Sequence, residues 1–291
     1  MKRISFVSGK GGTGKSTLVS SLSLLVQEKM LADCDVDAPN LHLLLNREAL
    51  WKEDFYGARA AVIDHESCLK CGRCREVCRF DAISERFEVV TMHCEGCGAC
   101  TIVCPAQAIC LETVKTGQTF VSTTQRGLFA HALLDIGAEG SGKLVTEVRK
   151  KLEQFRKDEQ WILIDGSPGI GCMVIASIAG ADAVVAVAEP TKSGRSDLER
   201  VLEVSRHFRI PGLVCINKFD LNPEITAEIE NYCKNLGLPV IGKISFDPGI
   251  MKALQGYKTP VEAGNQRFIR EVENLWEKLQ EEMNLKIDMN R

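Results

Sequence analysis

Short apolar runs recur along this chain, and most are followed by a stretch whose apolar residues fall at helical spacing. Residues 3–7 form a brief run rich in β-forming side chains, as expected of a buried first strand. Across residues 16–28, Leu18, Leu22 and Leu25 share one helical face. Met30, Leu31 and Ala32 then lead into Asp33 and Asp35, a second strand ending in acid. Four more apolar runs, at 161–164, 183–187, 213–216 and 240–241, punctuate the second half of the chain. Helix-period stretches at 197–208 and 225–236 lie between them. Strands alternating with helices predict an α/β fold: a mostly parallel sheet with helices on both faces. Residues 131–136 lack a strand pattern. Residues 266–283 form an amphipathic, acidic helix without the basic face of a membrane-surface helix.

The alternation fails between residues 59 and 116, where cysteine dominates. The chain has 13 cysteines, nine of them between residues 68 and 110. Cys68, Cys71, Cys74 and Cys78 are repeated, with the same spacing and an offset of 26 residues, by Cys94, Cys97, Cys100 and Cys104. An Ala-Ile pair follows each run, Ala82-Ile83 and Ala108-Ile109. This duplication predicts a small α+β domain at 59–116, inserted into a larger one made of 1–58 and 117–291.

Charge and composition narrow the class. The net charge is −3 across 291 residues, with 45% hydrophobic and 26% charged, which argues against a nucleic-acid partner. The basic start of the chain runs into a glycine loop without an apolar leader, and no run reaches the ~18 apolar residues of a membrane span. The expectation is a cytoplasmic protein with no stable membrane insertion. Clustered cysteines in such a compartment point to metal or redox chemistry rather than disulfides.

Gly9 to Ser16 matches G-x-x-x-x-G-K-S/T between a strand and a helix. Glycines let backbone N–H groups converge on phosphate oxygens, and the following helix presents its positive end. Gly9, Gly11, Gly12, Thr13, Gly14 and Thr17 would surround the phosphates. Lys15 would reach the terminal phosphates of ATP, and the Ser16 hydroxyl would hold Mg²⁺. A second glycine run, ending in Gly142-Lys143, is followed by Leu144 and so lacks the Mg²⁺ hydroxyl; it reads as a loop capping a helix.

With Lys10 included, the loop resembles the deviant Walker A motif of the MinD, ParA and nitrogenase iron protein class. That resemblance implies an ATPase that dimerises on ATP, with Lys10 reaching the partner's nucleotide. It also implies that Asp35 orients the attacking water, that Asp165 holds Mg²⁺ through water, and that Gly169 senses the γ-phosphate. Asn217 would contact adenine. The sequence Asn217-Lys218-Phe219-Asp220 also resembles the guanine-reading motif of GTPases, but the other motifs favour ATP.

Each cysteine run resembles the bacterial ferredoxin pattern, in which the fourth cysteine ligates the other cluster. That implies two [4Fe–4S] clusters, one on Cys68, Cys71, Cys74 and Cys104, the other on Cys94, Cys97, Cys100 and Cys78. Arg79 stands where the first run would have proline, whereas Pro105 follows Cys104 as expected. Zinc is the competing metal. Cys110 is expected inside the small core, and Cys34, Cys215 and Cys233 as buried filler. Cys172 lies seven residues after Asp165, where the nitrogenase iron protein ligates a cluster shared by two subunits. The rest of that ligand set is missing here. The whole chain thus resembles MinD-superfamily ATPases carrying an inserted ferredoxin domain. Three functions are open: coupling an ATP-dependent dimer switch to electron transfer toward a redox or Fe–S client, carrying Fe–S or metal cofactors for assembly, or spatial regulation of the MinD type. The acidic last helix argues against the third.

Overall fold

The computed structural model describes residues 1–289. The chain forms two compact units, Met1–Lys52 with Phe120–Ala132 and Gly140–Arg291, and Glu53–Thr119 with Leu133–Glu139. In chain order the elements are β1 (Lys2–Ser8), α1 (Lys15–Leu25), β2 (Lys29–Asp33), β3 (Arg47–Phe55), β4 (Ala58–Ile63), α2 (Arg73–Val77), α3 (Ala99–Val103), β5 (Ile109–Val114), β6 (Gly117–Thr124) and β7 (Gly127–Leu134). There follow α4 (Gly142–Gln154), β8 (Trp161–Pro168), α5 (Cys172–Ile178), β9 (Ala183–Ala188), α6 (Lys192–His207), β10 (Gly212–Asn217), α7 (Pro223–Asn235), β11 (Val240–Ile244), α8 (Pro248–Gln255) and α9 (Gln266–Met289).

A nine-stranded sheet runs in the order β11-β10-β9-β1-β8-β2-β7-β6-β3. Its pairings from β11 through to β7 are parallel. Alternation explains the continuous apolar runs: Val185 and Val187 of β9 pack with α1 and α9 on one face, while Val184, Ala186 and Ala188 pack with α5, α6 and α7 on the other. Phe268, Val272, Leu275, Leu279 and Met283 form the buried stripe of α9, at the three-to-four-residue spacing that keeps one helical face inward.

The register of β2 and β8 matters most for function. Asp33 lies opposite Asp165 on neighbouring parallel strands, so their acids emerge at one level. In an open parallel sheet that carboxyl edge is where ligands bind.

Residues 131–134 proved to be strand, the end of β7, contrary to the sequence expectation. Phe129, Ala130 and Ala132 are buried there, and His131 lies stacked between Phe120 and Phe129. The polar ring and small alanines hid a strand buried on both sides.

In the smaller unit β4 and β5 pair antiparallel, from Ala58 opposite Val114 to Ile63 opposite Ile109. Ala61, Ile63, Cys74, Ile83, Cys100 and Ile109 make its core. The duplication is structural as well as sequential. Gly72 and Gly98 both take left-handed φ, 84° and 78°, before α2 and α3. Cys78 and Cys104 end those helices with matching backbones, φ −77° and −76° with ψ 108°. Cys110 is exposed rather than part of this core, because its neighbour Ile109 takes the inward position on β5 and Cys110 faces outward opposite Val62.

Candidate functional site

The loop between β1 and α1 borders a cavity of about 540 Å³, lined among others by Gly11, Gly12, Thr13, Gly14, Lys15, Ser16, Thr17 and Asp35. Lys15, the first residue of α1, is buried. Its ammonium Nζ lies 2.8 Å from Asp165 Oδ1 and 3.4 Å from Asp35 Oδ2. Burial lowers the Lys15 pKa, but Asp165, Asp35 and Asp33 together outweigh it and leave it raised. Burial drives Asp35 upward despite Lys15, and drives Asp33 well above the usual carboxylate range, helped by Asp165. Asp33 accepts N–H bonds from Asp35 at 3.2 Å and Leu41 at 3.1 Å, tying down the segment that carries Asp35. Asp165 is fully buried, and its second oxygen Oδ2 has no hydrogen-bond partner among the described residues; nor has the buried Thr13 hydroxyl. Orphaned buried oxygens of this kind call for a further ligand.

Glycine is obligatory at two loop positions. Gly14 has φ +90°, and a Cβ there would stand 2.2 Å from Asn217 Nδ2. A Cβ on Gly9 would stand 2.2 Å from that of Asp197. Asn217 donates to the Thr13 carbonyl at 2.7 Å and accepts from Lys218 N–H, so both ends of its amide are engaged. Asp220 does not line the cavity: it accepts the Phe246 N–H at 2.7 Å. Gly169, at φ +94°, donates to the Ser8 carbonyl and also stands off the cavity. Lys10 turns away from the loop, its Nζ 3.5 Å from Glu189 Oε2 and 3.4 Å from Ser193 Oγ.

The far wall of the cavity escaped sequence reasoning. Ile244, Phe246, Ile250, Met251, Leu254 and Phe268 form it, from β11, α8 and α9. The apolar run at 240–241 and the amphipathic helix at 266–283 were legible in sequence, but not what they faced. Gly140 supplies a second unforeseen contact, donating to Asp37 Oδ1 at 2.9 Å. Ser141 caps α4 by accepting the Leu144 N–H, as the helix-capping reading of that glycine run expects.

None of the 13 cysteines is in a disulfide. Cys78 shares a small cavity with Cys94, Cys97 and Cys100, so the fourth cysteine of the first run meets the first three of the second. Backbone N–H groups point at four of the sulfurs: Ala61 to Cys94, Lys70 to Cys68, and Ala82 to Cys78, each at 3.4 Å, and Ala108 to Cys104 at 3.3 Å. Among the described residues no three His, Cys, Asp or Glu side chains converge as one bound ion would require. Cys34, Cys215 and Cys233 are buried and Cys172 is exposed at the start of α5. Burial pushes the Cys215 thiol up to about 12 and the Cys233 thiol to about 11, as inert packing residues.

The CobQ/CobB/MinD/ParA nucleotide binding domain matches residues 4–261. The chain belongs to that family. The uncharacterized protein MJ0578 of Methanocaldococcus jannaschii is 31% identical over 289 residues, 96% of each chain. The crystal structure of the cell division ATPase MinD of Pyrococcus furiosus superposes with a TM-score of 0.59 at 19% identity, over 96% of this chain and 98% of that one, and so shares the fold. An uncharacterized ferredoxin of M. jannaschii, MJ0722, is 31% identical over 61 residues, 19% of this chain and 79% of its own. This is a MinD/ParA-type nucleotide-binding protein, of a family whose P-loop members hydrolyse ATP. Among the described residues no helix is long and apolar enough to cross a membrane.

Proposed function

We propose that this chain is a cytoplasmic ATP-hydrolysing iron–sulfur protein, in which an ATP-dependent homodimer switch is coupled to electron transfer through two [4Fe–4S] clusters. The observation that carries the nucleotide half is the buried Lys15 bridging Asp35 and Asp165 beneath the glycine loop. Lys15 would exchange these carboxylates for the phosphates. Asp165, freed of Lys15, and the Ser16 hydroxyl would hold Mg²⁺, which supplies charge neutralisation across the phosphates when bound. The fit rests on the orphaned Asp165 Oδ2. Asp35 borders the cavity beside the loop, where a carboxylate can orient water and accept its proton.

Adenine suits the apolar wall of Ile250, Leu254 and Phe268. Asp220, the acid that would read guanine, is committed to the Phe246 backbone, which favours ATP over GTP. Lys10 is held on its own chain by Glu189 and Ser193 here, and its service to a partner's nucleotide requires release of that hold.

The cysteine half rests on Cys78 sharing a cavity with Cys94, Cys97 and Cys100. A four-iron cluster takes one thiolate per iron, so its ligands surround a volume rather than converge on a point. The N–H groups aimed at sulfur suit thiolates carrying negative charge. The clusters would supply one-electron redox capacity.

The test is anaerobic iron and sulfide analysis with ATP turnover on the same sample. About eight iron and eight sulfide per chain are expected from two four-cysteine sites, with ATP hydrolysed. Stoichiometric zinc, or about four iron, would refute the two-cluster reading. Passage of the clusters to an apo-acceptor would favour a cofactor carrier instead.

A further inference from the structure

The two cysteine runs have one backbone but not one surface. Between Cys68 and Arg79 stand four cations, Lys70, Arg73, Arg75 and Arg79, against one acid, Glu76, for a net +3. At the positions 26 residues later stand Gly96, Ala99, Thr101 and Pro105, and the second run carries only Glu95. Since the duplicated fold needs no cation at these places, the charge belongs to something outside it. All four cations are exposed. Arg75 has one weak surface partner, Glu85 at 3.6 Å, and Lys70, Arg73 and Arg79 have no ion pair among the described residues.

These cations flank exposed apolar surface. Arg73, Glu76 and Val77 of α2 and Ile102 and Val103 of α3 line an open groove of about 630 Å³ with Cys104 and Pro105. Ile102 is 85% exposed, although its counterpart in the first run is the charged Glu76. Leu69, between Cys68 and Lys70, is 69% exposed. An apolar centre with a charged rim is the anatomy of a protein interface rather than of a solvated face.

We propose that the groove between α2 and α3 docks a small acidic electron-carrier protein, held by Ile102 at its centre and steered by Lys70, Arg73 and Arg75. The proposal rests on the iron–sulfur reading above, because Cys104 is one of the thiols assigned to the first cluster and lies in the groove wall. A nucleic acid would also seek the cations. The apolar centre and the chain's net charge of −3 favour the protein.

The experiment titrates the full chain anaerobically with a purified flavodoxin of strongly negative charge, by calorimetry, at about 50 mM and about 500 mM salt, across which screening changes severalfold. Wild-type affinity is expected to fall about tenfold or more at the higher salt. K70E/R73E should lose about tenfold at low salt and little at high salt. I102A should weaken binding at both. K234E, the same kind of charge reversal on α7 in the other unit, should change affinity less than about twofold. K70Q/R73Q replaces the reversal if iron content drops in K70E/R73E. Wild-type affinity in the double variant with iron and sulfide intact would overturn the proposal, as would a duplex oligonucleotide that displaces flavodoxin from the wild type. Iron near zero with the same variant pattern would leave the docking face standing and remove the cluster reading.

Discussion

Replacing Lys15 by Ala probes the most concentrated charge in the molecule. One ammonium, 5% exposed, faces Asp165 at 2.8 Å and Asp35 at 3.4 Å, with Asp33 beside them. Removing one partner of a buried ion pair costs about 3–5 kcal/mol, since the remaining charge is left without water or counter-charge. The loss should depend on pH, and its sign is fixed. Asp33 and Asp35 are already raised in the folded protein, so their contribution to stability is complete below their unfolded values and declines as pH rises through the folded ones. Lys15, also raised, contributes fully below its unfolded value and loses its contribution only in strong alkali. Without Lys15 the two carboxyls rise further, and the folded variant takes up protons that the wild type does not. Lys15→Ala should therefore be about 3–5 kcal/mol less stable at pH 8, and the deficit should shrink by about 1 kcal/mol or more at pH 5.5, one pKa unit being worth about 1.4 kcal/mol. Urea unfolding followed by tryptophan fluorescence measures this cleanly, because Trp51, Trp161 and Trp276 all lie in the larger unit. An equal deficit at both pH values, or none, would mean that the three acids are not held by Lys15.

Gly14→Ala should abolish nucleotide binding and destabilise by about 1–3 kcal/mol, because φ +90° and the Asn217 amide leave no place for a methyl group; a nucleotide titration beside urea unfolding checks both. Cys78→Ser should remove the cluster of the second run and leave that of the first, read as loss of about half the iron with a changed electron paramagnetic resonance spectrum. Lys10→Ala should bind ATP yet stay monomeric in analytical ultracentrifugation, whereas the wild type dimerises.

Much of the site was legible because it is contiguous. The phosphate loop is one stretch of chain between a strand and a helix, and its glycines answer to local backbone demands such as φ +90° at Gly14. The cysteine runs were legible for the same reason, each wrapping three ligands within seven residues, and the 26-residue offset exposed their common fold. The strand that carries Asp165 was visible from its apolar run. β7 was not, because His131 broke the pattern while stacking on Phe129 of its own strand and Phe120 of β6.

What sequence alone determined, then, was chemistry that lies next to itself in the chain: a phosphate cradle, two sets of thiols, and the acids at the ends of strands. Which of these meet was decided by tertiary structure. Asp33 reaches Asp165 only through the parallel register of β2 and β8, and Cys78 reaches the second run only when the two halves fold together. The apolar wall of the cavity comes from residues 244–268, more than 200 positions beyond the loop it faces. Periodicity states that a side chain is turned inward. It carries no information about the partner found there, because that partner is set by how the sheet and its helices close on one another.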